Sequence, residues 1–240
     1  MYIMAHRGAS GFAPENTMAA FKIALKKQVD CIELDVRLTK DEVPVVIHDA
    51  HIYRTSNGGK QYIHELTLEE LKKYDFGSWY GKGEFSNERI PLLEEVLELV
   101  EDENVDLNIE IKNGPIIPDN LEEKVLNLVN KYNLQDRSMY SSFDHKSLKK
   151  IYEMDNNNKV GLIFHMNLIN LFEYIENTGI DAFSIHPNFF YVTKDMIKEA
   201  HKRNIKLNIY TLDDMELVEK YTEMGVDGLI TNKLLTYPNP

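Results

Sequence analysis

Apolar and polar residues recur along this chain with two periods, that of a β-strand and that of an α-helix, in alternating segments. Short apolar or β-branched runs are typical of buried strands, and between them lie stretches with apolar residues at helical spacing. The predicted strands cover residues 2–5, 32–37, 44–48, 107–111, 138–142, 160–164, 182–186, 207–211 and 228–231. The predicted helices cover residues 17–27, 92–100, 121–132, 145–154, 168–177, 194–203 and 215–224.

This alternation amounts to about eight strand–helix units, which favours a (β/α)8 TIM barrel. A doubly wound sheet usually has fewer strands and carries a glycine-rich turn that this chain lacks. Candidate helix caps agree with the barrel, because Thr193 and either Asp213 or Asp214 precede predicted helices. Gly179 and Gly225 stand where helix C-termini favour glycine.

One long segment interrupts the alternation after the second barrel strand and its companion strand at 44–48. It contains glycines, aromatic residues and a short helical piece at 67–74 whose Thr67 and Glu70 resemble a capping box. We expect residues 49–90 to form a small insertion subdomain within a single domain spanning residues 1–240. Its aromatic residues are expected to form the subdomain's own core or, alternatively, an apolar channel: Tyr53, Tyr62, Tyr74, Phe76, Trp79, Tyr80 and Phe85.

The strand at 32–37 carries its charges on one side. Side chains alternate along a strand, so Glu33, Asp35 and Arg37 share a face, with the two carboxylates roughly 6 to 7 Å apart. Two carboxylates so close repel each other unless a cation lies between them, and hard divalent cations bind oxygen ligands of this kind. The pattern indicates a Mg²⁺ or Ca²⁺ site, with a solvated polar strand face as the alternative.

Further polar residues fall at the ends of other predicted strands, where a barrel has its active site. His6 and Arg7 follow the first strand, and His48 with Asp49 ends the strand at 44–48. Glu110 and Lys112 end the strand at 107–111 with the same spacing of two, so they share a face. The sequence therefore predicts that carboxylates, histidines and cationic side chains converge at one end of the barrel.

Such a set of residues suits the cleavage of a phosphodiester. Negative charge grows on the phosphate oxygens as a nucleophile adds, so a divalent cation and an Arg or Lys stabilise the transition state. Two histidines can divide the proton transfers, one taking a proton from the nucleophile and the other giving one to the leaving alkoxide. The sequence leaves open which histidine is the acid, and whether the nucleophile is water or a hydroxyl of the substrate.

Composition narrows the class of partner. With 39 acidic and 27 basic residues the formal net charge is -12, which argues against nucleic-acid binding and requires local positive charge for an anionic small-molecule substrate. The single cysteine, Cys31, excludes a disulfide framework, and no apolar stretch is long enough to span a bilayer. The N-terminus enters a strand without a secretion signal, so we expect a cytoplasmic protein; the sequence carries no indication of its oligomeric state.

Several motifs resemble those of the glycerophosphodiester phosphodiesterases. They are H-R-G at His6 followed by P-E-N-T ending at Thr17, E-L-D at Glu33, H-D at His48, R-T at Arg54 and E-I-K at Glu110. The resemblance covers nearly the whole chain, and this combination of motifs at this spacing is highly specific. It implies release of sn-glycerol 3-phosphate and an alcohol from glycerophosphodiesters with the help of one divalent cation, Ca²⁺ or Mg²⁺.

The same resemblance implies roles for individual residues. It assigns acid and base catalysis to His6 and His48, and it assigns the cation to three carboxylates. The implied metal ligands are Glu33, Asp35 and Glu110, the implied phosphate contacts are Arg7 and Lys112, and the implied residues of the glycerol pocket are Phe143 and Tyr210. Arg37 is interpreted as a charge-balancing partner of the carboxylates that lies deeper in the core.

Two departures from the family pattern stand out. Many members carry Trp-Thr-Val-Asn after the seventh barrel strand, where this chain has a motif from Tyr210 to Asp213, and many carry Thr-Asp after the last strand, where it has Thr231 and Asn232. We interpret both as changes in pocket shape and substrate preference. The alternative functions are a lysophospholipase D acting on lipid-like diesters and a non-catalytic barrel that binds phosphate esters.

Overall fold

Eight parallel strands close into a barrel in the computed structural model, which describes residues 1–115, 118 and 120–234. The first strand pairs with both the second and the last, and this closes the barrel. The predicted (β/α)8 barrel is confirmed. The strands are β1 (Tyr2–Ala5), β2 (Cys31–Leu38), β3 (Pro44–Val46), β4 (Asp106–Ile111), β5 (Ser138–Ser142), β6 (Lys159–Phe164), β7 (Ser184–Pro187), β8 (Lys206–Ile209) and β9 (Gly228–Thr231), and all but β3 belong to the barrel.

Helices follow the strands around the barrel, and their ends match the caps seen in the sequence. Thr193 and Asp214 accept hydrogen bonds from first-turn backbone N–H groups, while Gly179 and Gly225 end helices in the left-handed region. None of the described helices is long and apolar enough to cross a membrane. The helices are α1 (Met18–Lys26), α2 (Leu68–Leu71), α3 (Leu93–Val100), α4 (Leu121–Lys131), α5 (His145–Met154), α6 (Leu171–Thr178), α7 (Lys194–Lys202) and α8 (Met215–Met224).

The alternation along β2 decides which residues face helices and which face the barrel interior. Ile32 and Leu34 belong to the large apolar cluster that joins the strands to the surrounding helices. Cys31 packs in a separate cluster with residues of β1, β5 and β9, so it lies inside the barrel as a buried apolar residue. Glu33 and Asp35, two and four residues further along, continue this interior face toward the C-terminal end. Their position on a buried strand holds charged groups inside the fold.

The segment after β3 packs around a small apolar cluster of its own. β3 runs antiparallel to β2, which agrees with the predicted companion strand. Phe76 is the one member of the predicted aromatic core in the buried cluster, while Tyr53, Tyr62 and Trp79 are exposed. The expected aromatic core is therefore wrong, because aliphatic side chains fill most of this interior. The cluster consists of Val45, Ile47, Ile52, Ile63, Leu71, Phe76 and Ile90.

Candidate active site

Three buried carboxylates meet inside the barrel near the C-terminal ends of β2 and β4. Glu33 and Asp35 come from β2, and Glu110 lies opposite Asp35 on the neighbouring strand. One oxygen of each carboxylate lies within 4.8 Å of those of the other two, closer than the strand repeat alone predicts. This group of Glu33, Asp35 and Glu110 is called the carboxylate cluster below. Its geometry suits a hard cation that binds several oxygens at once.

Two oxygens of the carboxylate cluster lack the hydrogen bonds that buried polar atoms normally make. Oε1 of Glu33 and Oδ1 of Asp35 are buried and accept no hydrogen bond from the described residues, although the Lys112 ammonium lies 3.1 Å from the latter oxygen. Unpaired buried carboxylate oxygens are costly. A bound divalent cation removes this cost, so the residues present fit such an ion.

The protonation of the carboxylate cluster follows from burial and mutual repulsion. Burial, together with the charges of the other two carboxylates, raises the pKa of Glu33 well above its ordinary value. Burial and the neighbouring Asp35 raise the pKa of Glu110 to about 7, although Lys112 acts in the opposite direction. The pKa of Asp35 is lowered: burial opposes ionisation, but the charges of Lys112 and Arg7 outweigh it. Without a cation, the carboxylate cluster therefore retains protons near neutral pH.

We expect the carboxylate cluster to destabilise the metal-free protein as pH rises. Folded Glu110, with a pKa of about 7, holds a proton that the unfolded chain releases near its ordinary value of 4.5. A raised pKa stabilises the fold fully below the unfolded value, and this stabilisation is lost as pH rises through the folded value. The buried histidines His6 and His186, whose pKa values are lowered to about 4 and about 3, contribute the opposite slope up to about pH 6.5, in chelator and with cation alike. One pKa unit corresponds to about 1.4 kcal/mol, so the Tm in chelator, taken relative to the Tm with saturating cation, should drop by roughly 5 °C or more between about pH 5 and about pH 8.

Thermal unfolding followed by circular dichroism, in chelator and in saturating Ca²⁺ or Mg²⁺, measures this difference. A bound cation replaces the protons of the carboxylate cluster, so the loss of stability caused by the cluster should be confined to the chelator samples. A difference between the two Tm values that stays constant or shrinks over this range would contradict the raised pKa of Glu110.

The two histidines have different hydrogen-bond partners. Nδ1 of His6, just beyond β1, lies 2.7 Å from Oδ1 of Asn232. Nδ1 of His48 lies 2.7 Å from a carboxylate oxygen of Asp49. Burial, with a contribution from the charge of Arg7, lowers the pKa of His6 to about 4. His6 is therefore a neutral imidazole at neutral pH and can accept a proton.

Arg54 and Glu15 link the surroundings of the two histidines. The Arg54 guanidinium donates to both carboxylate oxygens of Glu15 and to both of Asp49, the partner of His48. Glu15 also accepts a hydrogen bond of 2.7 Å from Arg7. A continuous chain of ion pairs thus runs from the His48 side of the site to the His6 side. The sequence had given Arg54 no role of its own.

Asn16 supports the carboxylate cluster from the first loop. Its side-chain nitrogen donates to Oδ2 of Asp35 at 2.7 Å, and its oxygen lies 3.4 Å from the Asp35 backbone nitrogen. Asn16 has a φ of 54°, in the left-handed region that asparagine tolerates better than most residues. Asn16, a residue of the P-E-N-T motif, therefore orients a carboxylate. Thr17, beside it, caps α1 by accepting a hydrogen bond from the Ala20 backbone N–H.

Arg7 and Lys112 place positive charge against the carboxylate cluster. The backbone N–H of Arg7 donates to Oε2 of Glu33 at 2.6 Å, and its side-chain Nε lies 3.4 Å from Asp35. The Lys112 ammonium lies 2.5 Å from Oε1 of Glu110. The positive charges of Arg7 and Lys112 locally offset the net negative charge of the chain. An anionic substrate requires such local compensation.

The sequence placed Arg37 deeper in the core than the carboxylates, and that position is wrong. The charges of Asp35, Asp49 and Glu110 do act on its guanidinium, as a charge-balancing partner requires, and oppose the lowering of its pKa by burial. Its guanidinium donates to the backbone carbonyls of His48, Lys112 and Gly114, at 2.9, 3.3 and 2.7 Å, and it forms no ion pair with the described carboxylates. Because β2 runs toward the site, Arg37 lies nearer the barrel mouth than Asp35. It holds two backbone segments together beside the site, the one after β3 and the one after β4.

The predicted pocket residues border the same cavity as the carboxylate cluster. Phe143 and Tyr210 meet edge to face with ring centroids 6.0 Å apart, and the Lys112 ammonium lies 5.8 Å from the Phe143 centroid. Phe143 is half exposed, so its ring is accessible from the mouth. The cavity is lined by His6, Glu33, Asn108, Glu110, Phe143, Ile163, His186, Tyr210 and Ile230.

The two departures from the family pattern contact each other in the structure. Asn232 follows β9, Asp213 follows β8, and the Asn232 amide donates to Oδ2 of Asp213 at 2.7 Å. The other end of the same amide is the partner of His6. The departures, interpreted from sequence as changes in pocket shape, thus lie behind a candidate catalytic histidine.

The chain is similar to known proteins over nearly its whole length. The sequence profile of the glycerophosphoryl diester phosphodiesterase family matches residues 6–236. A glycerophosphodiester phosphodiesterase from Caldanaerobacter subterraneus subsp. tengcongensis is 41% identical over 230 residues, covering 96% of this chain and 93% of that protein. A lysophospholipase D from Homo sapiens is 30% identical over 234 residues, covering 90% of this chain and 70% of that protein.

Solved structures share the whole barrel. A phosphodiesterase from Oleispira antarctica, in complex with the product sn-glycerol 3-phosphate, superposes with a TM-score of 0.87 at 28% identity and covers 97% of this chain and 93% of its own. A putative glycerophosphodiester phosphodiesterase from Galdieria sulphuraria gives a TM-score of 0.85 at 28% identity, covering 96% and 93%. The profile match, the 41% identical relative and the shared architecture all span nearly the full chain. The chain therefore belongs to the glycerophosphoryl diester phosphodiesterase family of hydrolases.

Proposed function

We propose that this chain hydrolyses glycerophosphodiesters to sn-glycerol 3-phosphate and an alcohol such as choline, ethanolamine or glycerol. The observation that carries the proposal is the carboxylate cluster, with unpaired buried oxygens, in one cavity with His6. The product bound in the Oleispira antarctica structure supports the choice of substrate. We further propose that residues 1–240 belong to one domain, in which residues 49–90 form an insertion subdomain beside the barrel mouth.

Glu33, Asp35 and Glu110 hold one divalent cation, Ca²⁺ or Mg²⁺. When bound, the cation supplies positive charge that stabilises the negative charge growing on the phosphate oxygens. Oε1 of Glu33 supports this assignment, because it is buried and accepts no hydrogen bond from the described residues; Oδ1 of Asp35 accepts none either, although the Lys112 ammonium lies 3.1 Å away. Oxygen ligands alone suit either ion, which differ in bond length and in tolerance of irregular geometry.

His6 and His48 divide the proton transfers. Neutral His6 accepts the proton of the nucleophile, either water or the glycerol hydroxyl next to the phosphate, and His48 donates a proton to the leaving alkoxide. The lowered pKa of His6 and the carboxylate partner of His48 support this division. With water as the nucleophile, the diester is cleaved in one step, and solvent takes the proton from His6 and returns one to His48. With the glycerol hydroxyl as the nucleophile, the first product is a cyclic phosphate, and water then opens it to sn-glycerol 3-phosphate while the two histidines exchange roles and so return to their starting states.

The remaining site residues bind the substrate. Arg7 and Lys112 contact the phosphate, since their charged groups lie against the carboxylate cluster and keep its field from repelling an anion. Phe143 and Tyr210 form an edge-to-face wall of the same cavity and pack against the glycerol carbons. An apolar wall with a few fixed polar groups is the usual composition of a small-molecule pocket.

One observation favours lysophospholipase D activity as a second candidate. Large apolar side chains are exposed after three adjacent barrel strands, at the same end as the carboxylate cluster. Such a group of residues is the kind that contacts an acyl chain, and one relative carries this activity in its name. The exposed residues are Phe143 after β5, Met166 and Ile169 after β6, and Phe190 after β7.

An assay of glycerol 3-phosphate release separates these functions. We expect turnover of glycerophosphocholine and glycerophosphoethanolamine that EDTA abolishes and that added Ca²⁺ or Mg²⁺ restores. A lysophosphatidylcholine of matched head group, tested beside them with release of choline as the readout, measures the second candidate. Turnover that persists in EDTA contradicts the cation assignment, and turnover of the lysolipid alone replaces the first function with the second. Binding of glycerol 3-phosphate without any turnover indicates the non-catalytic barrel.

A further inference from the structure

The hydrogen bonds behind His6 form an ordered chain of three side chains. His6 Nδ1 lies 2.7 Å from Asn232 Oδ1, and the Asn232 amide nitrogen donates to Asp213 Oδ2 at 2.7 Å. The other carboxylate oxygen of Asp213 accepts from the Thr231 hydroxyl and from the backbone N–H groups of Asn232 and Lys233. Asp213 is thus anchored to the loop that follows β9.

The direction of each hydrogen bond in this chain follows from the chemistry of Asp213. The pKa of Asp213 is lowered, because the hydrogen bonds it accepts outweigh the effect of burial, so its carboxylate can only accept. The Asn232 NH₂ group must therefore face Asp213, and its carbonyl oxygen must face His6. The Ser10 hydroxyl, 2.9 Å from the same oxygen, can donate or accept and does not decide the orientation.

A carbonyl oxygen cannot donate, so His6 must carry its proton on Nδ1. Neutral imidazole has one N–H and one bare nitrogen, which leaves the lone pair on Nε2. Nε2 forms no hydrogen bond with the described residues, and the His6 side chain lines the cavity that contains Glu33 and Glu110. Nε2, which is not hydrogen-bonded to Asn232, is therefore the nitrogen that can accept a proton.

We propose that Asp213 is a positioning residue that selects the Nδ1–H tautomer of His6 by fixing the orientation of the Asn232 amide. This inference rests on the proposed role of His6 as the base. Asp213 fixes the orientation of the Asn232 amide, and the amide presents a neutral oxygen to the His6 imidazole. The negative charge of Asp213 is therefore one side chain away from the ring. The two departures from the family pattern then act together. The carboxylate is at position 213, where many members have asparagine, and the amide is at position 232, where many have aspartate.

The variant Asp213→Asn tests the inference with a change of one atom. Three donors still face the inner side of residue 213, so the new amide must turn its oxygen to them and its NH₂ group toward Asn232. The Asn232 amide then turns over to accept from that group, and its own NH₂ faces His6. His6 must accept at Nδ1 and carry its proton on Nε2, which removes the base. In a serine protease triad, a comparable Asp→Asn change costs about 10⁴-fold in kcat through the wrong tautomer.

Nitrogen-15 NMR of the imidazole groups reads the tautomer without reference to activity. The chain has 8 histidines, and the His6 signals are identified by their absence in His6→Gln. We expect Nδ1–H in the wild-type protein and Nε2–H in Asp213→Asn. For glycerophosphodiester turnover we expect kcat to fall about 10²-fold or more, with KM changed less than about threefold, because the substrate contacts are unaltered.

The double variant Asp213→Asn with Asn232→Asp provides the rescue. A carboxylate at position 232 again requires Nδ1–H on His6, so we expect the wild-type tautomer and recovery of most of kcat. An Nε2–H tautomer in the wild-type protein overturns the inference, even if the single variant does not fold. A single variant that folds and keeps both Nδ1–H and wild-type kcat also overturns it. A tautomer switch in a protein that does not cleave glycerophosphodiesters upholds the inference and refutes the proposed function.

Discussion

Replacing either His6 or His48 by alanine is expected to lower kcat for glycerophosphodiesters by about 10²- to 10⁴-fold, the usual contribution of acid or base catalysis. In the proposed mechanism each histidine carries one of the two protons that must move. His6 is held by Asn232 and His48 by Asp49, through one ring nitrogen in each case. The other ring nitrogen is left for the substrate.

Steady-state kinetics of the purified variants, with circular dichroism as a check of folding, measures this loss. His201→Ala is the matched control, because His201 is also bound to an aspartate, Asp227, at 2.8 Å. Asp227 lies at the opposite end of the barrel, just before β9, so this variant should keep wild-type kcat. A folded His6 or His48 variant that retains more than about a tenth of wild-type kcat rules out a role as acid or base.

Replacing Glu33 by glutamine is expected to abolish the response to divalent cations and to lower turnover by about 10²-fold or more. The change keeps an oxygen that can accept the Arg7 N–H, which lies 2.6 Å from Glu33, and it removes a carboxylate that a cation would bind. Burial and the neighbouring Asp35 and Glu110 raise the pKa of Glu33, so at neutral pH folding without a cation requires Glu33 to take up a proton. Glutamine needs no such proton, and the metal-free variant should therefore unfold at a higher temperature than the metal-free wild type at neutral pH.

Thermal unfolding with and without cation separates these two effects. A ligand at 100 times its Kd stabilises a protein by about 2.7 kcal/mol, which is roughly 5 to 10 °C for a chain of this size. We expect this shift in the wild type and none in Glu33→Gln. Glu122→Gln is the control, since Glu122 is equally buried but already paired with Ser147 and Lys150. Its Tm should fall while its response to the cation persists. A normal cation shift in Glu33→Gln excludes Glu33 as a ligand.

Local patterns predicted the barrel well where burial follows the strand or helix period. The predicted bounds of β1, β5, β9, α5 and α8 match the structure, because apolar runs and capping residues mark both ends. The start of α6 was misplaced at residue 168. Asn170 adopts a left-handed φ of 55°, so the helix begins at Leu171. Backbone conformation at one residue is not visible in a hydrophobic pattern.

The insertion shows a second limit of the sequence. Seven aromatic residues within it suggested an aromatic core, yet Tyr53 is 58% exposed and only Phe76 joins the buried cluster. The segment contains mainly turns and short helical pieces, so no period assigns its side chains to an inner or outer face. The interior is instead filled by aliphatic residues such as Ile52 and Ile63. Long-range packing decided this outcome.

The sequence by itself determined the fold class, the shared face of Glu33 and Asp35, and the strand ends at which His6 and Glu110 lie. These features depend on neighbours two to four residues apart and on the strand period, so they can be inferred from short windows of sequence. The tertiary structure alone decided which nitrogen of His6 is free. That choice depends on Asn232, which is 226 positions away in the chain, and on Asp213 behind it. Closure of the barrel brings the ends of β1, β8 and β9 together, and only this contact turns two separate departures into one hydrogen-bonded unit.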